Sequence, residues 1–519
     1  LKAFFAPSPA PHTTASRRSA RPRQMASPSA AVVVDPYSSG RFLLYELKDQ
    51  GIPIICVRSS LKLGAFFLRA YDANKEYFNE TVDYEEDLPK LVEQLKALAY
   101  TVTAVFAGSE PGVQLADELA ETLALPTANG TELTNARKDK AAMQERLRTC
   151  GVPAAEQLLS SSRDELLTWA RNRGQWPLVA KPTGSSGSDG IFFCQGEQDV
   201  SNAVEELVGK PNPNGKINGE IVLQEFLSGT EYIVDTVSYE GKHICVAIWV
   251  YTKRRGTPWN PNCIISEGNR LMEAEGEVQD KLVDYVFSVL TAVGLRYGPC
   301  HTEVMFTPRG PVLVEVNARL HGLQGPKLIG MATGTSKAAW AVDALAGGGK
   351  LFTERYPAGG DKRYLYPLQK HCLQVVLISP VSGYLSASIK EAIGDMKLPS
   401  VVEVLPSVQK RQYLYQTCDL NTAAGYVLMV HESREQIEAD VARIREAETS
   451  GELYPVGTEP EPASPVPTPP RSRANSARSR AGSGEITSPR LQSVEKAAEI
   501  WSEDLELPPA SDFELVGMS

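Results

Sequence analysis

The 519-residue chain is poor in the signals of several common classes, and each absence narrows the reading. Its eight cysteines (Cys56, Cys150, Cys194, Cys245, Cys263, Cys300, Cys372 and Cys418) include no C-x-x-C pair. That scatter gives no zinc site and fits reduced thiols in a reducing compartment. No uninterrupted apolar run approaches the ~20 residues needed to span a bilayer. A formal net charge of -10 argues against general nucleic-acid binding. The turn Tyr37–Gly40 does not match the dinucleotide fingerprint. The Gly/Ser run that follows Lys181 is not a phosphate loop of the Walker type, because its lysine precedes the glycines. What is present is ordinary globular composition, 42% hydrophobic and 22% charged, in a chain too long for one core.

The most informative stretch begins just after Cys300. Thr302–Thr307 and Pro311–Arg319 read as two strands, and Pro308-Arg309-Gly310 is a turn signal between them. Side chains alternate along a strand, so Glu315, Asn317 and Arg319 share one face. If Thr307 and Pro311 close the turn, Glu303 stands opposite Glu315. Opposed like charges destabilise a ladder, and a divalent cation is one reason to keep them. Two carboxylates and an amide oxygen suit Mg²⁺, while Arg319 adds a cation for an anionic ligand. The plainer alternative is a hairpin with one solvated face.

Taken in order, the chain predicts strands at Ala31–Asp35, Ile52–Val57 and Val102–Phe106. Helices run through Leu43, Leu44 and Leu47 and from about Pro111 to Leu123. That alternation predicts a parallel, doubly wound α/β sheet. Glu110 opens a helix after a strand; it reads first as an acid favoured by the helix dipole and second as a substrate contact. Thr134–Cys150 reads as one helix carrying Lys140, and a lone helical lysine is ordinarily solvated. Pro177–Pro182 reads as a short apolar strand that ends in Lys181. The segment Gly184 to Gly190 can fold over phosphates but on its own reads as a flexible tip. Glu220–Leu227 and Glu231–Asp235 read as strands whose apolar residues and carboxylates suit a purine nucleoside or plain sheet packing. Lys253-Arg254-Arg255 reads first as a solvated turn and second as a carboxylate site. His321 and Lys327 follow the metal-face strand and either face an acyl site or sit idle in a loop.

The order Lys140, Val-Ala-Lys181-Pro with its Gly/Ser loop, Gln-Glu225-Phe-Leu, Gly-Thr-Glu231, Glu303 and Glu315-Val-Asn317-Ala-Arg319 resembles the ATP-grasp superfamily. It is most similar to the carboxylate–amine ligases, such as carnosine synthase and the bacterial L-amino-acid ligases, over roughly residues 31 to 448. The resemblance implies an α/β and α+β multidomain chain. It would comprise a Rossmann-like domain at 31-130, an ATP-grasp lid at 131-240, a catalytic core at 241-358 and a small α+β domain at 359-450. It also implies ATP and Mg²⁺ (or Mn²⁺) as cofactors. Lys140 and Lys181 would hold phosphates, with Gly184, Ser185, Ser186 and Gly187 in the loop closing over them. Glu225, Phe226 and Leu227 would form the adenine hinge, and Glu231 would bind ribose. Glu303, Glu315 and Asn317 would hold the metal, with Arg319 and Lys181 catalytic. The partners implied are a small carboxylate and an amine, with no nucleic acid, no membrane, and a homodimer as the assembly the resemblance allows. The Leu-His-Gly run after Arg319 departs from the usual Pro-Gly or Gly-Gly. Two other readings stay open: an ATP-grasp enzyme of nucleotide biosynthesis and a non-catalytic ATP-binding regulator.

The ends differ in composition. Residues 1-30 are Ser/Ala/Pro/Arg-rich with no acid before Asp35. That suits an organelle transit peptide or a disordered tail, and Leu1 to Pro7 resembles a plastid-leader cleavage motif. The plastid stroma or the cytoplasm is therefore expected. Residues 451-519 are Pro/Ser/Glu-rich with a basic run at Arg471 to Arg480, which predicts a disordered tail; Ser493 to Leu505 suits a short helix.

Overall fold

In the computed structural model the described residues are 27–457, apart from 62–64, 185–189, 212–216, 357–365 and 421. Residues 1–26 of the expected leader, all but the first residues of the tail and its short helix lie outside them, whereas Ser29 and Ala30, expected in the leader, open the first strand. No described helix is long and apolar enough to cross a membrane.

Strands β1 (Ser29–Val34), β2 (Ile54–Arg58), β3 (Glu80–Asp83) and β4 (Thr101–Ala107) form a parallel sheet in the order β3-β2-β1-β4. The apolar run of β1 is buried from Ala30 onward, as suits a strand covered on both faces. Polar β3 was not anticipated, and Val82 is its one buried residue. The chain leaves β1 towards β2 on one side and reaches β4 on the other, so the carboxyl ends of β1 and β4 flank a switch-point crevice. The two loops there pack backbone to backbone: a Cβ on Gly40 would lie 2.4 Å from the Gly108 carbonyl oxygen. Glu110 follows directly, in a short 3₁₀ turn.

A second, antiparallel sheet has the order β5-β8-β6-β7, from β5 (Gln157–Ser160), β6 (Leu178–Pro182), β7 (Phe192–Cys194) and β8 (Ile221–Glu225). Helices Arg163–Arg173 and Glu197–Leu207 pack on it through Leu166, Ala170, Val200 and Ala203.

The largest sheet uses β9 (Thr230–Tyr239), β10 (Lys242–Thr257), β11 (Asn260–Leu271), β12 (Gly298–Thr307), β13 (Gly310–Asn317), β14 (His371–Leu377), β16 (Val401–Pro406) and β18 (Gly425–His431). Their order is β13-β12-β9-β10-β11-β14-β18-β16. The C-terminal strands thus extend the core sheet through the β11–β14 pair, rather than forming a sheet apart. Only β15 (Gly383–Leu385), β17 (Tyr413–Leu414) and β19 (Val456–Gly457) make a separate small sheet. The helix Glu277–Ala292 buries Leu282, Val283, Val286, Val289 and Leu290 against the large sheet.

Three local differences from the sequence expectation matter for the site. Thr134–Cys150 is two helices, Thr134–Lys138 and Lys140–Thr149, because Asp139 turns extended and its carboxylate accepts hydrogen bonds from the Ala141 and Ala142 amides at 3.0 and 2.9 Å. An aspartate satisfies free helix-start N–H groups better as a cap than in a helix interior. Lys140 therefore opens a helix. The β12–β13 turn closes at Thr307–Gly310, one residue tighter than expected. A register shift beside Val314 supplies the extra residue, and Glu303 still faces Glu315. Lys253, Arg254 and Arg255 lie within β10 rather than in a turn.

Candidate active site

The face of the large sheet nearest the first sheet gathers charges from distant parts of the chain. Lys140 Nζ donates to Glu315 Oε1 at 2.7 Å, and its backbone amide reaches the Thr183 carbonyl at 3.2 Å, beside the Gly/Ser loop. Lys181, in β6, is buried and donates to Gln224 Oε1 at 3.0 Å. Along β13, Asn317 Oδ1 accepts from Arg319 at 3.0 Å, and Arg319 Nε donates to Glu110 Oε2 at 3.0 Å. Glu110 and Arg319 thus join the parallel-sheet crevice to the end of the metal-face strand. Glu110 is more than an acid at a helix start.

The electrostatics are strained in a directed way. Burial pushes the Lys181 amine down to about 8, and the nearby Lys140 charge adds to this. Burial works against the Lys140 charge as well, but Glu315 outweighs it and the pKa rises. Burial raises the Glu315 carboxyl; the Glu303 and Glu110 charges reinforce that, against Lys140. Glu303 moves the other way, because hydrogen bonding and charge from His301 overcome its burial. Two facing carboxylates have been driven apart, as expected when one site holds both. Glu303, Glu315 and Asn317 offer carboxylate and amide oxygens, all hard donors, and Glu303 and Glu315 still repel each other. The set fits a hard divalent cation.

The nucleotide-edge residues are held differently. The Glu225 carboxylate accepts from the Glu156 amide at 2.9 Å, from Arg173 at 3.2 Å and from Arg309 at 3.0 Å. It is committed to protein groups. Phe226 meets Phe193 edge-on at 6.1 Å, and the Arg255 guanidinium lies 4.0 Å from its ring centroid. Leu227 is buried with Ala155 and Val312. Glu231 accepts from Lys253 Nζ at 2.5 Å. Gly184 is exposed at the start of the loop, whereas Ser185, Ser186 and Gly187 lie outside the described residues.

Comparison with known proteins matches this architecture. Residues 174–327 match the ATP-grasp domain family. Dapdiamide A synthase of Enterobacter agglomerans is 29% identical over 431 residues, covering 82% of this chain and 97% of that protein. Over residues 174–327 the chain is thus similar to an ATP-grasp domain, and along most of its length to a carboxylate–amine ligase of that fold. Among solved structures, an L-amino acid ligase from Bacillus licheniformis shares the fold with a TM-score of 0.62 at 17% identity, over 81% of this chain and 97% of that one. Carboxyaminoimidazole ribonucleotide synthase of Aspergillus clavatus, complexed with ATP, gives 0.59 at 14% identity, over 81% and 99%.

Sequence reasoning missed one part of the core. Asp235, fully buried in β9, accepts from Lys337 Nζ at 2.5 Å, Trp249 Nε1 at 2.9 Å and His321 Nδ1 at 2.9 Å. His321 is therefore locked inside rather than facing an acyl site, and burial pulls its pKa down to about 4. Lys327 is paired with Glu403 at 3.0 Å. An aspartate inside the apolar strand Tyr232–Val237 was the available signal, since a buried carboxylate requires partners.

Proposed function

We propose that this protein is an ATP-dependent carboxylate–amine ligase, which activates its acid as an acyl phosphate and releases ADP and phosphate, with amino acids as acid and amine. The carboxylate oxygen attacks the γ-phosphorus and ADP leaves. The amine nitrogen then attacks the acyl carbon, phosphate leaves, and the nitrogen gives up its proton. Phosphoryl transfer asks a protein chiefly for positioning and charge neutralisation. Lys140 and Lys181 are assigned to the phosphates, and Gly184, Ser185, Ser186 and Gly187 to the loop over them, where exclusion of water protects the acyl phosphate. Glu225, Phe226 and Leu227 are assigned to the adenine edge and Glu231 to ribose. Glu303, Glu315 and Asn317 would hold Mg²⁺, which when bound neutralises phosphate charge. Arg319 stabilises the transferred phosphoryl group.

The observation that carries this reading is the convergence of Lys140, Arg319 and Glu110 on the Glu303–Glu315 pair. The Arg319–Glu110 pair also supports amino-acid substrates. A guanidinium beside a carboxylate offers one partner for each charge of a zwitterion. The acid-poor leader supports delivery to a plastid, with the cytoplasm as the alternative.

The test is ADP and phosphate release from Mg-ATP against pooled amino acids and small carboxylates. Release that depends on a pool is expected, with Glu315→Ala reducing it by about 10³-fold while nucleotide still binds. ATP binding with no release from any pool would overturn the reading.

A further inference from the structure

The buried cluster behind the metal face has no part in the chemistry above, yet it touches that face at one point. His301 and Asp235 are register partners across β12 and β9. His301 Nε2 lies 3.2 Å from Glu303 Oε1, two residues along the same strand. An ionised carboxylate only accepts hydrogen bonds, so Nε2 carries the proton in this contact. The other ring nitrogen, Nδ1, faces Asp235 Oδ1 at 3.6 Å, within ion-pair reach but without a hydrogen bond.

The ring has little freedom. It is 3% exposed and lies 4.3 Å, centroid to centroid, from His321, whose own ring meets Trp249 edge-on at 5.5 Å. Asp235 ties both supporting groups down, accepting from His321 and Trp249 on one oxygen and from Lys337 on the other. Lys337 donates also to the Cys300 carbonyl at 2.7 Å, anchoring the strand just before His301.

Asp235, His301 and His321 are close enough together to suggest a metal site of their own. Lys337 argues against that. An ammonium at 2.5 Å already compensates Asp235, and a divalent cation beside it would meet like charge in a medium where repulsion is weakly screened.

We propose instead that His301 is a positioning residue: its Nε2–H fixes the Glu303 carboxylate for the divalent cation, and Asp235 with Lys337 forms the rigid base that fixes His301. The inference rests on Glu303 being a metal ligand, as argued above. Hydrogen bonds to ligating carboxylates orient them, and losing such a partner costs about 10–100-fold in metal affinity.

The experiment is Mn²⁺ binding to the full-length protein with ADP, followed through the free-Mn²⁺ electron paramagnetic resonance signal, with metal-free ADP affinity measured alongside. His301→Ala is expected to weaken Mn²⁺ by about 10–100-fold with ADP affinity unchanged. His301→Gln, whose amide nitrogen can reach the Nε2 position, should recover most of the loss. His301→Asn, which is too short, should not; this pair decides the matter if the alanine variant fails to fold. Wild-type Mn²⁺ binding in His301→Ala, or equal binding in the Gln and Asn variants, would overturn the proposal. Glu303→Gln separates the two levels. If it too binds Mn²⁺ normally, the metal reading itself falls; if it alone loses Mn²⁺, only the role of His301 falls.

Discussion

Glu315 and Asp235 stand on the same sheet with β12 between them, and each is ion-paired to a lysine. The Lys140–Glu315 side chains keep 11% and 17% of their surface exposed, whereas Lys337 and Asp235 keep none. Asp235 is fully answered from within the protein by an ammonium, an indole and an imidazole. Glu315 is ion-paired to one lysine and repelled by two nearby carboxylates. One site is finished by the fold, and the other is finished by what it binds. Burial of charge by itself therefore does not mark function in this molecule. Incomplete compensation at an accessible face does.

Substitutions can break this comparison. Arg319→Ala should have the largest effect, lowering turnover by about 10³-fold or more, with a smaller loss of stability than a substitution at the fully buried pair, since the Arg319–Glu110 pair keeps some exposure to water. Steady-state kinetics and chemical denaturation on the same sample check both halves. At the closed site the balance should reverse. Lys337→Met strands the Asp235 carboxylate, and removing one partner of a buried pair costs about 3–5 kcal/mol. Denaturation should report that loss directly. An unchanged midpoint would mean that the two sites are not different in kind.

A smaller effect sharpens the account of the open site. Burial and Lys140 lower Lys181 to about 8, and phosphate binds its charged form. Nucleotide affinity should be level from pH 7 to near 8. Above 8 it should weaken, by at most tenfold per unit, as the free enzyme loses the proton that the complex keeps. Calorimetric titration with ADP would show this. Lys181→Arg, charged throughout, should abolish the slope.

The difference between the two sites also explains what was legible in the sequence. The hairpin with Glu303 and Glu315 follows from strand alternation and a turn signal, both local. Even there the pairing arises otherwise than expected, through a tighter turn and a shift at Val314. The Asp235 cluster was opaque because its ionisable partners His301, His321 and Lys337 lie 66 to 102 positions away along the chain, far beyond any periodicity. Lys140 was misread as mid-helix because capping by Asp139 competes with helix propensity over a few residues. Joining of β14, β16 and β18 to the core sheet depends on edge pairing that composition does not encode.

The most direct test of the central claim follows oxygen. Amino acids labelled with ¹⁸O in their carboxylates would be supplied with Mg-ATP, and the released phosphate analysed by mass. An acyl phosphate intermediate requires one labelled oxygen in each phosphate formed, with ADP as the other product. Unlabelled phosphate, or AMP and pyrophosphate, would contradict it.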